Sequence, residues 1–169
     1  MKKEFLDIVD ENDNVKGKAS RKEIHTKGYI HRTVFFFIID KKGRIFVNQR
    51  TADKEFYPEY WSNSFGGHIN SGESYETAVL REAKEETGIK EKPIFIAPFK
   101  KRFDKEDREN VKVYSFVTDK VPKIDPAETK QGKFMTIKEA EELMKKEKFL
   151  PESKFLHKLI KDFLNQKVL

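Results

Sequence analysis

Residues 66–89 read GGHINSGESYETAVLREAKEETGI, and this stretch constrains the chain more than any other. Its second half has the pattern of a helix over 74–87, closed by Gly88 where a left-handed cap residue belongs. At 100° per residue, with Glu82 as the origin, Glu86 falls near roughly +40° and Glu85 near roughly −60°. Val79 and Ala78 share the same arc one turn earlier. Three acids thus stand where an amphipathic helix would continue its apolar stripe, and unpaired buried carboxylates are costly. Two readings remain open. One is a solvated acidic patch. The other is a hard divalent cation, since Mg²⁺ takes oxygen ligands and shares a few carboxylates with substrate phosphates and water.

The loop ahead of the helix favours the cation. Gly66-Gly67 permits backbone geometry closed to other residues and lets a carbonyl face a metal. Gly72 bends the chain again, and Glu73 brings a further carboxylate. Arg81 flanks the acidic arc and lies i,i+4 from Glu85.

The rest of the chain limits the chemistry. It has 169 residues and no cysteine, so disulfides, thiolate metal sites and cysteine nucleophiles are excluded. Carboxylates, four histidines and water remain. The longest apolar run, Val34 to Ile39, is far short of the ~20 residues of a membrane span. The N-terminus lacks a signal-peptide pattern. The expectation is a soluble, cytoplasmic protein without a membrane partner. A net charge of +6 fits an anionic partner, but with lysines interspersed among acids a lysine-rich solvated surface is the favoured reading. Only Lys100, Lys101 and Arg102 form a tight basic group. No aromatic-basic RNA motif occurs, so nucleic acid ranks last among partners.

One domain over 1–169 is expected. Strands are read at Phe5 to Val9 and Val15 to Ala19, forming an N-terminal hairpin over 4–19 around an Asn/Asp turn. A helical turn follows from Ser20 through His25, with capping-box spacing to Glu23. Further strands are read at Thr33 to Asp40, Arg44 to Arg50, Trp61 to Phe65, Pro93 to Asp104, Asn110 to Asp119 and Lys133 to Met135. Residues 51–60 read as a loop. Thr136 and Glu139 open a helix to about Lys146. Pro151 is placed in the first turn of a final helix, about 151–167, whose stripe of Phe155, Leu156, Leu159, Ile160, Phe163 and Leu164 packs on the domain or forms a homodimer contact. The order of elements implies a mixed sheet flanked by helices.

Gly67, Glu73, Arg81, Glu82, Glu85, Glu86, Gly88 and Ile89 match the pattern G-x5-E-x7-R-E-U-x-E-E-x-G-U, and the stretch resembles the signature box of the Nudix hydrolases. Ala83 is the one mild departure, at a position that usually carries a larger aliphatic. The resemblance implies a Nudix fold in the α/β class (α+β mixed), an α/β/α sandwich with a mixed central sheet and the box, 67–89, as loop-helix-loop. It implies Mg²⁺-dependent hydrolysis of a diphosphate linkage in a small-molecule substrate such as a nucleoside diphosphate derivative, with Mn²⁺ as the alternative ion. Carried over by position, Glu85 and Glu86 become metal ligands. Glu82 becomes a ligand or the general base, and Gly66 offers its carbonyl. Arg81 and Glu73 orient the glutamates. Glu109 and Glu128 are candidates for an additional acid.

The flanking segments resemble the isopentenyl-diphosphate-isomerase-like hydrolases of the same superfamily, from about Glu4 to Lys148. That makes the isomerase a rival. Its W-T-N-S-x-C-G-H-P signature corresponds here to Trp61-Ser62-Asn63-Ser64-Phe65-Gly66-Gly67-His68-Ile69, with Gly66 at the cysteine position. Its E-N-E motif is read against Glu109-Asn110-Val111, which lacks the second acid. His25, His31 and His68 lie near metal-binding positions of isomerases. They form a remnant second metal site or contact substrate, or else His68 supports the loop and the others are ordinary loop or strand-edge residues. Arg50, His68 and Glu73 are taken as candidate substrate contacts, and Lys100 to Arg102 as a second phosphate-binding candidate. Tyr57, Tyr60 and Trp61 stack a base or simply pack. His157 is expected on the surface.

Overall fold

The computed structural model describes residues 4–166. Two compact units divide the chain. The first holds the chain up to Phe35, with Gly66–Glu82 and Pro93–Tyr114. The second holds Phe36–Phe65, Ala83–Lys92 and the chain from Ser115 onward.

The first unit opens with the hairpin β1 (Phe5–Val9) and β2 (Val15–Ser20). Asp10 builds the turn, accepting from the amides of Asn12 and Asn14, and Asp13 takes a left-handed conformation. Ser20 then caps α1 (Arg21–Lys27) by accepting from the Glu23 amide. Leu6, Ala19 and Ile24 pack together as a buried cluster under this corner. The helix runs past His25 to Lys27, because Gly28 supplies the left-handed stop and donates to the His25 and Ile24 carbonyls.

β3 (His31–Ile39) and β4 (Ile45–Arg50) follow the apolar, β-branched runs. The stretch 61–65 differs from the expected single strand. It splits into β5 (Trp61–Ser62) and β6 (Phe65–His68). The Ser62 hydroxyl donates to the Ser64 carbonyl and accepts from the Ser64 amide, so the chain turns between them. β5 pairs with β4, while β6 pairs with β3. α2 (Tyr75–Thr87) then runs unbroken to Gly88, whose φ of 73° ends it.

β7 (Ile94–Arg102), β8 (Arg108–Val117) and β9 (Thr129–Met135) complete a seven-stranded sheet of order β5-β4-β3-β8-β7, with β9 pairing β4. The sheet is mixed. β4 and β9 are antiparallel, whereas β3 and β8 run in the same direction, Thr33 meeting Glu109 and Ile39 meeting Thr118. β9 begins four residues before the expected Lys133, because backbone pairing with β4 recruits the polar segment Thr129 to Gly132.

In the second unit Phe36, Phe46, Phe65 and Phe116 pack ring against ring, with centroids 5.4–6.2 Å apart. Thr136 and Glu139 form the full capping box that opens α3 (Ile137–Lys146). The final helix α4 (Ser153–Gln166) starts two residues after Pro151, which lies in the preceding turn. Leu156 and Ile160 are fully buried, while Phe155 is half exposed. His157, expected on the surface, is buried too. It faces Glu141 of α3 at 3.5 Å, and Lys161 pairs with the same carboxylate at 2.6 Å, so the buried face of α4 is wider than its apolar stripe. Among the described residues, no helix is long and apolar enough to cross a membrane.

Candidate functional site

The site is built outward from Arg81 of α2. Its Nε and NH2 donate to the two oxygens of Glu73, each at 2.9 Å, and NH1 donates to Glu82 at 2.6 Å. NH2 also donates to the His68 carbonyl at 3.0 Å. The flat guanidinium thus ties the end of β6, the loop before α2 and α2 itself into one rigid fork. Burial works against the charge on Glu73. The bonds from Arg81 and from the Asn70 amide outweigh it and hold the carboxyl below its usual 4.5. Arg81 is pushed up, chiefly by its bonds to Glu73.

Glu82 lies against the backbone of Gly67, so closely that a methyl group added there would overlap the carboxylate. The glycine is therefore a steric requirement for the position of Glu82. We expect Gly67→Ala to fold, because the far end of a flexible side chain can move aside, but to shift Glu82. The measurement is the Mg²⁺ concentration giving half-maximal hydrolysis, which should rise about tenfold or more. An unchanged Mg²⁺ dependence would count against a metal role for Glu82.

Gly66 is closed for a different reason. A β-carbon there would lie 2.6 Å from the Val34 carbonyl oxygen and 2.8 Å from the Phe35 ring. No side chain, cysteine included, fits this backbone without a shift.

Glu85 and Glu86 follow on the same continuous helix and are exposed, while Ala78, Val79 and Ala83 are fully buried. The helix therefore buries its small apolar residues and keeps Glu85 and Glu86 in solvent. This meets the conflict posed by the sequence, because neither of these two carboxylates is forced into the interior. The donor set is all oxygen, it is reached by solvent, and Glu82 rests in a cradle that a side chain on Gly67 would fill. Such a set suits a hard divalent cation.

A second constellation lies in the first unit. His25 of α1, His31 of β3 and His68 of β6 point their rings together, with centroids 5.0–5.4 Å apart. One ring nitrogen of each lies within 4.8 Å of the others, and His31 also shares such a group with Asp107 and Glu109. His31 is fully buried. Its Nδ1 lies 3.3 Å from the Tyr29 carbonyl, so the proton belongs there and Nε2 carries the lone pair. Nε2 has no hydrogen-bond partner, and Glu109 Oε1 is 3.9 Å away. Burial holds His31 down to about 4 and His68 to about 3, so both are neutral at neutral pH. Burial drives the Glu109 carboxyl upward. Asp107 is held low against its own burial by bonds involving Glu109 and Lys101.

This cluster corrects the reading of the acidic motif. Asp107, two residues before Glu109 and just ahead of β8, brings a second carboxylate to the same group. The sequence signal was an acid-x-acid pair read one register too late.

The remaining candidates separate. Glu109 belongs to the histidine cluster. Glu128 instead pairs with Lys54 and, with Arg50, Asp53, Glu55 and Phe56, lines a cavity of about 350 Å³. The Nε of Arg50 is buried without a hydrogen-bond partner. Lys100 and Arg102 pair with Glu11 at 3.1 Å each, and Lys101 pairs with Asp107 at 2.6 Å, so each cation of this basic group has an acidic partner within the protein. Trp61 is buried and stacks on Phe149, while Tyr57 and Tyr60 lean on each other.

The chain is similar to known proteins in both sequence and structure. A family model described as the NUDIX domain matches residues 29–159. The chain is 49% identical over 85 residues to the Uncharacterized Nudix hydrolase SCO1686 of Streptomyces coelicolor, covering 50% of this chain and 47% of that one. The match thus spans about half the length of that relative. It is 36% identical over 142 residues to Isopentenyl-diphosphate Delta-isomerase 1 of Photorhabdus laumondii, covering 80% and 81% of the two chains. In structure it is similar to DR0079 from Deinococcus radiodurans, with a TM-score of 0.77 at 26% identity over 94% of this chain and 98% of that one.

Proposed function

The chain belongs to the Nudix family, and on that premise we propose that it is a divalent-metal-dependent hydrolase of the diphosphate linkage in a small organic pyrophosphate, with nucleoside diphosphate derivatives as the first class to test. The observation that carries this reading is the Arg81 fork. It holds Glu82 against Gly67, in the second half of a helix that goes on to present Glu85 and Glu86.

Glu82, Glu85 and Glu86, with the Gly66 carbonyl, would hold the ion. Mg²⁺ or Mn²⁺ bound there would neutralise diphosphate oxygens and acidify a water. Arg81 positions Glu82 and Glu73 and thereby fixes the helix against the loop. One of the helix glutamates accepts the proton of the attacking water. The water oxygen bonds to phosphorus as the bridging P–O bond breaks, and the leaving phosphate takes the electron pair. Positioning and charge neutralisation supply most of the acceleration.

Glu73 serves the fork, since both its oxygens are engaged with Arg81. The cavity that Arg50 lines is the better candidate for a substrate contact, since it brings a guanidinium group to an open pocket. The test is a panel of nucleoside diphosphates, dinucleotides and nucleotide sugars with Mg²⁺ or Mn²⁺ at mildly alkaline pH. Phosphate or nucleotide products are expected. Failure of every substrate with both ions would reject hydrolysis.

The 36% identity to an isomerase over four-fifths of both chains favours a second reading, prenyl-diphosphate isomerisation. Two observations oppose it. No cysteine exists in the chain, and the backbone at Gly66 leaves no room for a side chain. Allylic isomerisation adds and removes protons at carbon, and Gly66 offers no group for either step. Incubation with isopentenyl diphosphate in deuterated water should leave the carbon unlabelled. Deuterium in the recovered prenyl diphosphate would reverse this conclusion.

The histidine cluster adds a second metal site to the proposal. His25, His31, His68, Asp107 and Glu109 form a mixed nitrogen–oxygen set, suited to a first-row transition ion more than to Mg²⁺. The buried, unpartnered Nε2 of His31 is the observation in its favour.

A further inference from the structure

Lys101 stands beside this cluster on β7 and is nearly buried, with 9% of its surface exposed. Its Nζ lies 2.6 Å from Asp107 Oδ2 and 3.4 Å from Glu109 Oε1. The opposite oxygen of Glu109 is fixed by the Thr33 hydroxyl at 2.9 Å. Oε1 is therefore the oxygen Glu109 presents both to Lys101 and to His31. The same carboxylate atoms serve the ammonium and face the imidazoles.

Resting on the second-metal reading above, we propose that the Lys101 ammonium is the resident cation of this cluster, which a transition-metal ion must displace in order to bind, so that Lys101 sets the affinity of the site. The ammonium lies beside both Asp107 and Glu109 and supplies the positive charge on this side of the cluster. A dication drawn to the same oxygens would sit within a few ångströms of that ammonium, where like charges repel strongly at the reduced dielectric of the interior. A lysine can yield where an arginine fork cannot, because its charge is a point at the end of a four-carbon stem. The structure offers it a place to go. The Phe103 ring centroid is 5.9 Å from Nζ, and Phe103 is half exposed, so the displaced ammonium can turn along this ring toward water.

Cobalt(II) titrated into metal-stripped protein, followed by its visible ligand-field absorption, tests the proposal. His31→Ala should abolish the band, assigning it to this cluster instead of the glutamates of α2. Lys101→Met should bind Co²⁺ about tenfold more tightly than the unaltered chain, and Lys101→Arg, which keeps the charge, should not. Lys101→Gln keeps a donor for Asp107 without the charge and should also bind more tightly. It guards against a methionine variant that folds poorly. Thermal melting gives an independent reading. Co²⁺ should raise the melting temperature of the uncharged variants more than that of the unaltered protein, whereas a merely structural Lys101 would lower all melting temperatures and leave the Co²⁺ affinity alone. Affinities of Lys101→Met and Lys101→Gln within twofold of the unaltered chain would overturn the role of Lys101 and leave the metal site standing. Absence of the band in every form would overturn both.

Discussion

Glu86→Gln is expected to lower kcat for diphosphate hydrolysis by about a thousandfold while the melting temperature stays within a degree or so. The two halves of this expectation have separate causes. Glu86 is exposed on the last full turn of α2, so the neutral isostere of the same size removes no buried packing. Its carboxylate would act where charge is neutralised along the reaction, and there a single unit of charge is worth several kcal/mol. The measurement is a steady-state rate with saturating Mg²⁺, beside a thermal melt. A rate within tenfold of the unaltered enzyme would show that the acids of α2 do not carry the reaction. Loss of the fold would show that their role is structural.

Arg81→Met should have the opposite profile, losing stability as well as activity. The side chain removed bonds Glu73 twice, Glu82 and the His68 carbonyl. Glu73 and Glu82 are only 12% and 13% exposed, so both carboxylates would lose their cation in a poorly solvated place. Breaking such a pair from one side costs about 3 kcal/mol, discounted here for the partial exposure of Arg81. The cost should depend on pH. In the unaltered protein the Glu73 carboxyl is held below 4.5, so its contribution is complete above that value and fades as pH falls through the lower folded value. Without Arg81, burial is the dominant influence and pushes the same carboxyl upward, so its ionised form opposes folding at neutral pH. Acidification relieves that penalty in the variant while it removes the stabilisation from the parent. The stability gap should therefore be widest near neutrality and narrow below about pH 4.5. Chemical denaturation across that range is the check, and a gap independent of pH would refute the account.

Both predictions draw on residues that the sequence located by itself. The glutamates of α2 were legible because a helix has a fixed period and a glycine stop, so positions along it convert directly into directions. Gly67, Glu73 and Arg81 were legible because they stand at fixed offsets from those glutamates. The hairpin over 4–19, the capped helices and most strands were legible for the same local reason, since turn chemistry and side-chain alternation act over a few residues. The boundaries that moved are those set by partners distant in the chain. β9 lengthened because β4 supplies hydrogen bonds to a polar segment, and 61–65 divided because its two ends pair with different strands.

Tertiary structure alone decided the histidine cluster. His25, His31 and His68 come from a helix and two strands, Glu109 from β8 and Asp107 from the loop just before it, far along the chain. No local period links these five residues, so their meeting, and the correct register of the acid pair, depends on how β3, β6 and β8 assemble. The same holds for the buried His157, for the internal pairing of the basic group at Lys100 to Arg102, and for the steric closure of Gly66. Sequence determines what can be computed from spacing along one element. Which side chains share a dielectric, a proton or a cation is fixed only when separate elements close around them.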